Sequence, residues 1–381
     1  MIKRLLNYGI CTFFIFIFPL SVETQVRKTN FTFPDAGEYK VLKADFHIHT
    51  VFSDGLVWPY TRLDEAYSES LDIVAIADHI EHRSLMPDVT NLNKSYEIAK
   101  WASDLYNIVL IHSAEITRDM PPGHINVIGI QDANKFEQYV NKSNPSDSSR
   151  VKEALFEAKQ QGAFIFWNHP AFPTPDNKST WHPIHQQILD EGLMMGIEVV
   201  NGERYEPIAF QWCLDHNLTI FSNTDLHGTM AQKRSIDGFK VMTLVLAKEK
   251  TEKAVMDALR NHRTIALWNN QLFGRQEHVE PVVKSCIKAT LYDRGDKYLF
   301  EFVNESGFPF TLQFSVLPEG FKIRNDFAIS INPYETVAYI ANVSENIPST
   351  LNVKVLNVWV TPEKNLELFI PINYKRDTSL P

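Results

Sequence analysis

The chain has few cysteines, no basic excess and no long apolar run, and each scarcity excludes something. There are 3 cysteines in 381 residues. Cys11 sits inside an N-terminal apolar run, which leaves Cys213 and Cys286, far apart and on different predicted domains. That excludes a disulfide framework, and both are expected as free thiols. Acids outnumber bases, 46 Asp and Glu against 37 Lys and Arg, for a formal charge of -9. This argues against generic nucleic-acid binding, which needs a basic patch. An anionic small substrate stays open, because bound metals invert the local field. There is no internal repeat and no low-complexity segment.

The apolar run at residues 9–20 is too short to span a bilayer comfortably, and Lys3 and Arg4 precede it. The pattern is that of a secretory signal peptide, expected over residues 1–22 with an indistinct cleavage point. Secretion, or release into the periplasm, follows as an expectation, with no stable membrane span after cleavage. An uncleaved anchor is the alternative. The length suggests two domains, or one barrel plus an addition, and a hydrophobic fraction of 44% provides for a large core.

What is present centres on Asp45-Phe46-His47-Ile48-His49-Thr50-Val51-Phe52-Ser53-Asp54-Gly55. A buried strand is expected over 39–46. His47 and His49 are two apart, so they point the same way from an extended chain and make half of a metal site. Asp54 follows in a Ser-Asp-Gly turn that can bring a carboxylate to the same place.

Further strands are expected at 71–77, from 108 to about 117, and at 124–130, 163–167, 196–200 and 218–222. Helices are expected at 61–70, 92–106, 148–161, 184–191 and 207–216, the third capped by Ser148 or Ser149. Most of the strands are continuous apolar runs, the mark of parallel strands covered on both faces. About seven β/α units predict an α/β fold, a distorted seven-stranded barrel occupying residues 23–275. In such barrels the chemistry lies at the C-terminal strand ends. His47, His49, His79, Glu115, His169, Asp225 and His227 fall there, whereas His124 stands at the start of its strand. Beyond residue 285 the pattern changes to period two: Tyr298, Phe300 and Phe302, then Phe310, Leu312 and Phe314. This predicts a small antiparallel β-sandwich over 285–381, without clustered ligands, serving as a structural or docking module.

The motifs HIHTVFSDG, ADH, the Glu of SAEIT, GHINVIGI, NHP and TDLHG occur in that order. In them the chain resembles the polymerase and histidinol phosphatase (PHP) family of metal-dependent phosphoesterases, and most of all its secreted two-domain members of the Bacteroides type. The resemblance covers roughly residues 40 to 270. It implies two or three divalent transition metals (Zn, Mn or Fe). By that resemblance His47, His49, Glu115 and Asp225 hold one metal. Glu115 bridges to a second with His124 and His169, and Asp54, His79 and His227 hold a third. Some members carry His in place of Asp54, and Asn126 shares a strand face with His124, so those two assignments stay open. The implied reaction is hydrolysis of a small phosphate ester, a nucleotide or sugar phosphate for example, by a metal-activated water attacking in line. Arg118, near Glu115, is the first candidate for the cation that steadies the phosphoryl oxygens, with Arg83, Arg204 and Arg234 behind it. His82, His112, His182, His185, His216, His262 and His278 are read as ordinary histidines, although His82 and the pair His182 and His185 could line the mouth. Two rival classes remain at this level: an amidohydrolase-like enzyme, and a binding protein that retains metal without catalysis.

Overall fold

Apolar runs that do not alternate build the strands carrying the cluster. A computed structural model describes residues 28–174, 176–234, 240–295, 297–316, 322–323, 328–342 and 347–376. The expected signal peptide lies outside them. In chain order the first part comprises β1 (Lys40–Ile48), α1 (Pro59–Ser68), β2 (Ile73–Ile76), α2 (Lys94–Tyr106), β3 (Val109–Ile116), β4 (Ile125–Ile128), α3 (Val151–Gln160), β5 (Phe164–Trp167) and α4 (Pro183–Asp190). It continues with β6 (Gly196–Asn201), β7 (Arg204–Tyr205), α5 (Pro207–Asp215), β8 (Thr219–Asn223), α6 (Met230–Arg234), β9 (Val241–Ala247), α7 (Glu252–Arg260), β10 (Thr264–Trp268) and β11 (Gln271–Phe273). The sequence reading places all seven strands from β1 to β6 and β8, but names no element between residues 229 and 284.

The fold is mixed α/β with a large sheet. β1, β2 and β3 pair in parallel, as do β5, β6 and β8. The sheet curls until Leu226, just past β8, pairs with Ile48 at the end of β1. β2, β5 and β8 are buried along their whole length, which is why they read as unbroken apolar runs. Helices cover the outer face with apolar stripes at helical spacing; in α3 these are Val151, Ala154, Leu155 and Ala158. The cap of the turn leading into α3 is Asp147, which accepts from the Ser149 amide, and neither serine fills that role.

One expectation is corrected. β4 is antiparallel to both β3 and β5. No helix lies between Ile116 and Ile125, and an antiparallel return needs none. Because β4 runs the other way, its first end lies beside the last ends of its neighbours. The apparent exception of His124 disappears for that reason.

The remainder comprises α8 (Gln276–Cys286), β12 (Ile287–Asp293), β13 (Tyr298–Asn304), β14 (Phe310–Val316), β15 (Lys322–Ile323), β16 (Ala328–Ile331), β17 (Thr336–Asn342), β18 (Thr350–Thr361) and β19 (Lys364–Arg376). Period-two burial holds here: Phe300 and Phe302 are buried, as are Leu351, Val353 and Val355. Most pairings are antiparallel, but β12 with β19 and β11 with β18 are parallel. The second of these joins the two parts, with Leu272 opposite Val358 and Phe273 opposite Trp359. Where the sequence suggests a break, at 275–285, the chain forms α8. A single apolar cluster contains Leu63, Ile265, Leu272 and Val279 together with Phe310, Leu312, Val353 and Val358. Cys213 and Cys286 are both free and buried, as expected. Among the described residues no helix is long and apolar enough to cross a membrane.

Candidate metal centre

β1 aims His47 and His49 into one place, with ring centroids 5.0 Å apart and both side chains buried. His47 Nε2 lies 3.3 Å from Asp225 Oδ1 and 3.4 Å from Glu115 Oε2. His49 Nε2 lies 3.0 Å and 3.4 Å from the same two oxygens. None of these four atoms has a hydrogen-bond partner, and all are buried. Orphaned polar atoms are costly in a protein interior. Two lone-pair nitrogens and two carboxylate oxygens facing one point are the donor set of a divalent transition metal. The residues present therefore fit the metal that the motifs imply.

Glu115, at the end of β3, is the centre of the cluster. Its Oε2 also faces His79 Nδ1 at 2.8 Å. Its Oε1 faces His124 Nδ1 at 3.0 Å and His169 Nε2 at 3.7 Å. Asp54 joins from the turn after β1, with Oδ1 3.2 Å from His227 Nε2 and Oδ2 3.5 Å from His79 Nε2. All nine positions picked out in the sequence thus lie in one cluster. It divides into four overlapping ligand groups: His49, Asp54, His79 and His227; His47, His49 and Asp225; His47, Glu115 and His169; His79, Glu115 and His124. The last two differ from the partition implied by resemblance, since His124 groups with His79 and not with His169. Asn126 is buried, donating to the Phe46 carbonyl and accepting from Asn168, so His124 is the strand's residue at the cluster.

The ring nitrogens facing away from the cluster are tied down. His47 Nδ1 meets Glu198 Oε1 at 2.8 Å, His169 Nδ1 meets the Phe172 carbonyl at 3.1 Å, and His227 Nδ1 meets the Asp225 carbonyl at 2.9 Å. These oxygens only accept, so each Nδ1 carries the proton and each Nε2 presents its lone pair inward. Glu198 also accepts from the His169 amide at 2.9 Å and from Asn223 Nδ2 at 2.9 Å, so one buried carboxylate aligns two of the nine cluster residues, His47 and His169, and ties them to the end of β8. Arg62, on α1 and 1% exposed, donates to the carbonyls of His49, Leu226, His227 and Gly228. It clamps the loop bearing Asp225 and His227 onto the end of β1. Asp78 accepts from the Thr50 amide and hydroxyl and from the Ser53 hydroxyl, holding the turn that carries Asp54.

The electrostatics match this geometry. Burial pulls the His47 imidazole down, but the carboxylates of Asp225, Glu198 and Glu115 prevail and raise it well above its ordinary value. Burial likewise opposes, and Glu115 and Asp54 outweigh it, at His79, which is also raised well above the ordinary value. Burial would raise Glu115 and Asp225, but the surrounding imidazoles hold both well below the usual carboxylate range. Without ions the cluster retains protons that divalent metals displace on binding.

The cluster opens into a cavity of about 660 Å³, the size of a small-ligand site. A two-domain protein from Bacteroides vulgatus, containing a predicted PHP-like metal-dependent phosphoesterase, has 34% identity with this chain. The match covers 91% of this chain and 99% of that one, with a TM-score of 0.81. The chain belongs to the two-domain PHP-like family. It is accordingly a metal-dependent hydrolase. A protein from Bifidobacterium adolescentis described as a metal-dependent phosphoesterase and an amidohydrolase from Chromobacterium violaceum also match, each at 17% identity over 49% of this chain and 87% of the other. Their TM-scores, 0.38 and 0.36, carry no inference. No protein-family model matches the chain, and no curated protein does.

The four arginines singled out for this PHP-like enzyme have different surroundings. Arg118 lines the cavity but is buried and ion-paired with Glu81, and it donates to the Thr117 and Tyr139 carbonyls. Arg204 also lines the cavity, with its side chain 46% exposed; it pairs with Glu206 and donates to the Asn177 carbonyl. Arg83 is paired with Glu137 and does not reach the cavity wall. The Arg234 side chain lies outside the described residues. His82 lines the mouth, whereas His185 is buried against Trp167 and bonds the Pro122 carbonyl. Sequence reasoning missed Glu198, Arg62 and Asp78. The signal for Glu198 was a lone acid inside the apolar run Gly196-Ile197-Glu198-Val199-Val200. For Arg62 it was a cation one place from Leu63 on the buried side of α1.

Proposed function

We propose that the chain is an exported phosphoesterase that hydrolyses a small phosphate ester with two or three divalent transition metals. The observation that carries this reading is the convergence of four buried, unpaired ligand atoms, on His47, His49, Glu115 and Asp225, of which Glu115 and Asp225 line the cavity. His124, His169, Asp54, His79 and His227 complete the donor set. Zinc, manganese or iron all suit its nitrogen and oxygen donors. Metals there supply Lewis acidity toward a phosphoryl oxygen and make a water far more acidic than bulk water. The chain's own residues do the rest. Glu198 and the Asp225 and Phe172 carbonyls hold the imidazoles in one tautomer. Glu115 and Asp225 offset the charge of the ions. Arg204, paired with Glu206 but half exposed, offers guanidinium N–H groups on the cavity wall for a phosphoryl oxygen, whereas Arg118, also on the wall, is buried and neutralised by Glu81. The curled sheet of β1–β6 and β8 is read as a distorted seven-stranded barrel, and the C-terminal part as a β-sandwich that contributes no ligand.

The test is a screen of the metal-loaded protein against nucleotides, sugar phosphates, phosphodiesters and amides. Release of phosphate or cleavage of a diester is expected. Hydrolysis of amides alone, or of nothing, would overturn the reading.

A further inference from the structure

A bare aromatic ring stands at the rim of the metal cluster. Phe172 is 56% exposed and lines the cavity, and among the described residues it is the exposed large hydrophobic that does so. Its ring centroid lies 5.5 Å from that of His169 and 6.0 Å from that of His124, edge to face with both. It is held there by its own backbone: the Phe172 amide donates to the His169 carbonyl at 2.8 Å, and its carbonyl accepts from His169 Nδ1 at 3.1 Å. Pro173 and the buried Ala171 flank it in the cavity lining. A phenyl face presented to water beside charged ligands is unfavourable until something flat covers it. The ring is also too close to His124 and His169 to be remote from a phosphoryl group bound at the cluster.

We propose that Phe172 is a specificity-determining residue, a platform on which the leaving group of the substrate lies. The substrate class is then a phosphate ester whose leaving group carries a planar aromatic ring. This rests on the phosphoesterase reading for the identity of the reacting group, but not for the contact itself. Base-like and aryl rings stack on such a face without regard to their hydrogen-bonding edges, so preference is set by flatness and apolar area.

The experiment measures binding of two non-hydrolysable probes, phenylphosphonate and methylphosphonate, to the metal-loaded full chain by calorimetry. The wild type should bind the phenyl compound about tenfold more tightly. Phe172→Ala should abolish that preference, while Phe172→Tyr keeps it and both retain the wild-type metal content. Phe172→Leu, which keeps apolar bulk beside His169 but removes the ring, should lose most of it, and guards against a folding defect in the alanine variant. Equal affinity of the wild type for the two probes, or a preference that survives Phe172→Ala, overturns the proposal. Failure of the phosphoesterase reading would show separately, as no phosphate released from phenyl phosphate by a wild type that still prefers the phenyl probe.

Discussion

Glu115 holds the cluster together because its two oxygens face different sets of imidazoles. Oε2 faces His47, His49 and His79, and Oε1 faces His124 and His169. Its charge would offset repulsion between ions held by those two sets. Glu115→Gln keeps the shape and loses the charge. It should lose at least one metal, with turnover of a phosphate ester falling about 10³-fold or more. His82→Ala, at the mouth and bonded to Ser146, should keep the full metal content. Elemental analysis of the two variants side by side reads the contrast, and full occupancy in Glu115→Gln would remove the bridging role. The same residues set a pH dependence. His47 and His79 are raised above their ordinary value once burial has been outweighed by the carboxylates around them. Protons therefore compete with metal already above about pH 6.5, and lowering the pH weakens binding. A metal titration should show affinity at least about tenfold weaker at pH 6 than at pH 8; equal affinities would mean that these imidazoles are not ligands.

At the scale of elements, the direction of β4 and the clamp from α1 explain how a scattered motif set becomes one site. The nine clustered positions were legible because His, Asp and Glu at the ends of apolar runs stand out chemically. The direction of β4 was not, since an apolar run reads the same both ways and only the short, helix-free connection after Ile116 distinguishes them. Glu198 and Arg62 were hidden for another reason. Each bonds groups far along the chain, and no local spacing signals a long-range partner. Arg62 closes the end of the site by donating to four carbonyls, three of them in the loop that carries Asp225 and His227. Arg62→Gln removes a buried cation and most of its N–H donors, although the Leu226 and His227 carbonyls keep the His49 and Leu56 amides. A loss of about 3 kcal/mol of stability is expected, read as a lowered denaturant midpoint. Weakened metal binding should accompany it; an unchanged midpoint would show that the loop stands without the clamp.

The whole molecule is more continuous than its change of periodicity suggests. Alternation beyond residue 285 was readable and holds, but the sequence cannot show that β18 adds to the edge of β11 or that one apolar cluster spans both parts. A chain ending at Arg275 would leave Leu272 and Phe273 on an open edge and uncover Ile265, which lies beside Val279 of α8. Its melting temperature should fall by about 10 °C or more, with aggregation on heating. A truncated protein as stable as the full chain would show that the two parts fold independently. The central claim, that the cluster at the end of the sheet is a metal centre, is tested most directly by the metal content of the purified full chain after growth in metal-rich medium. Two or three equivalents of transition metal per chain are expected from elemental analysis; less than about one equivalent would contradict it.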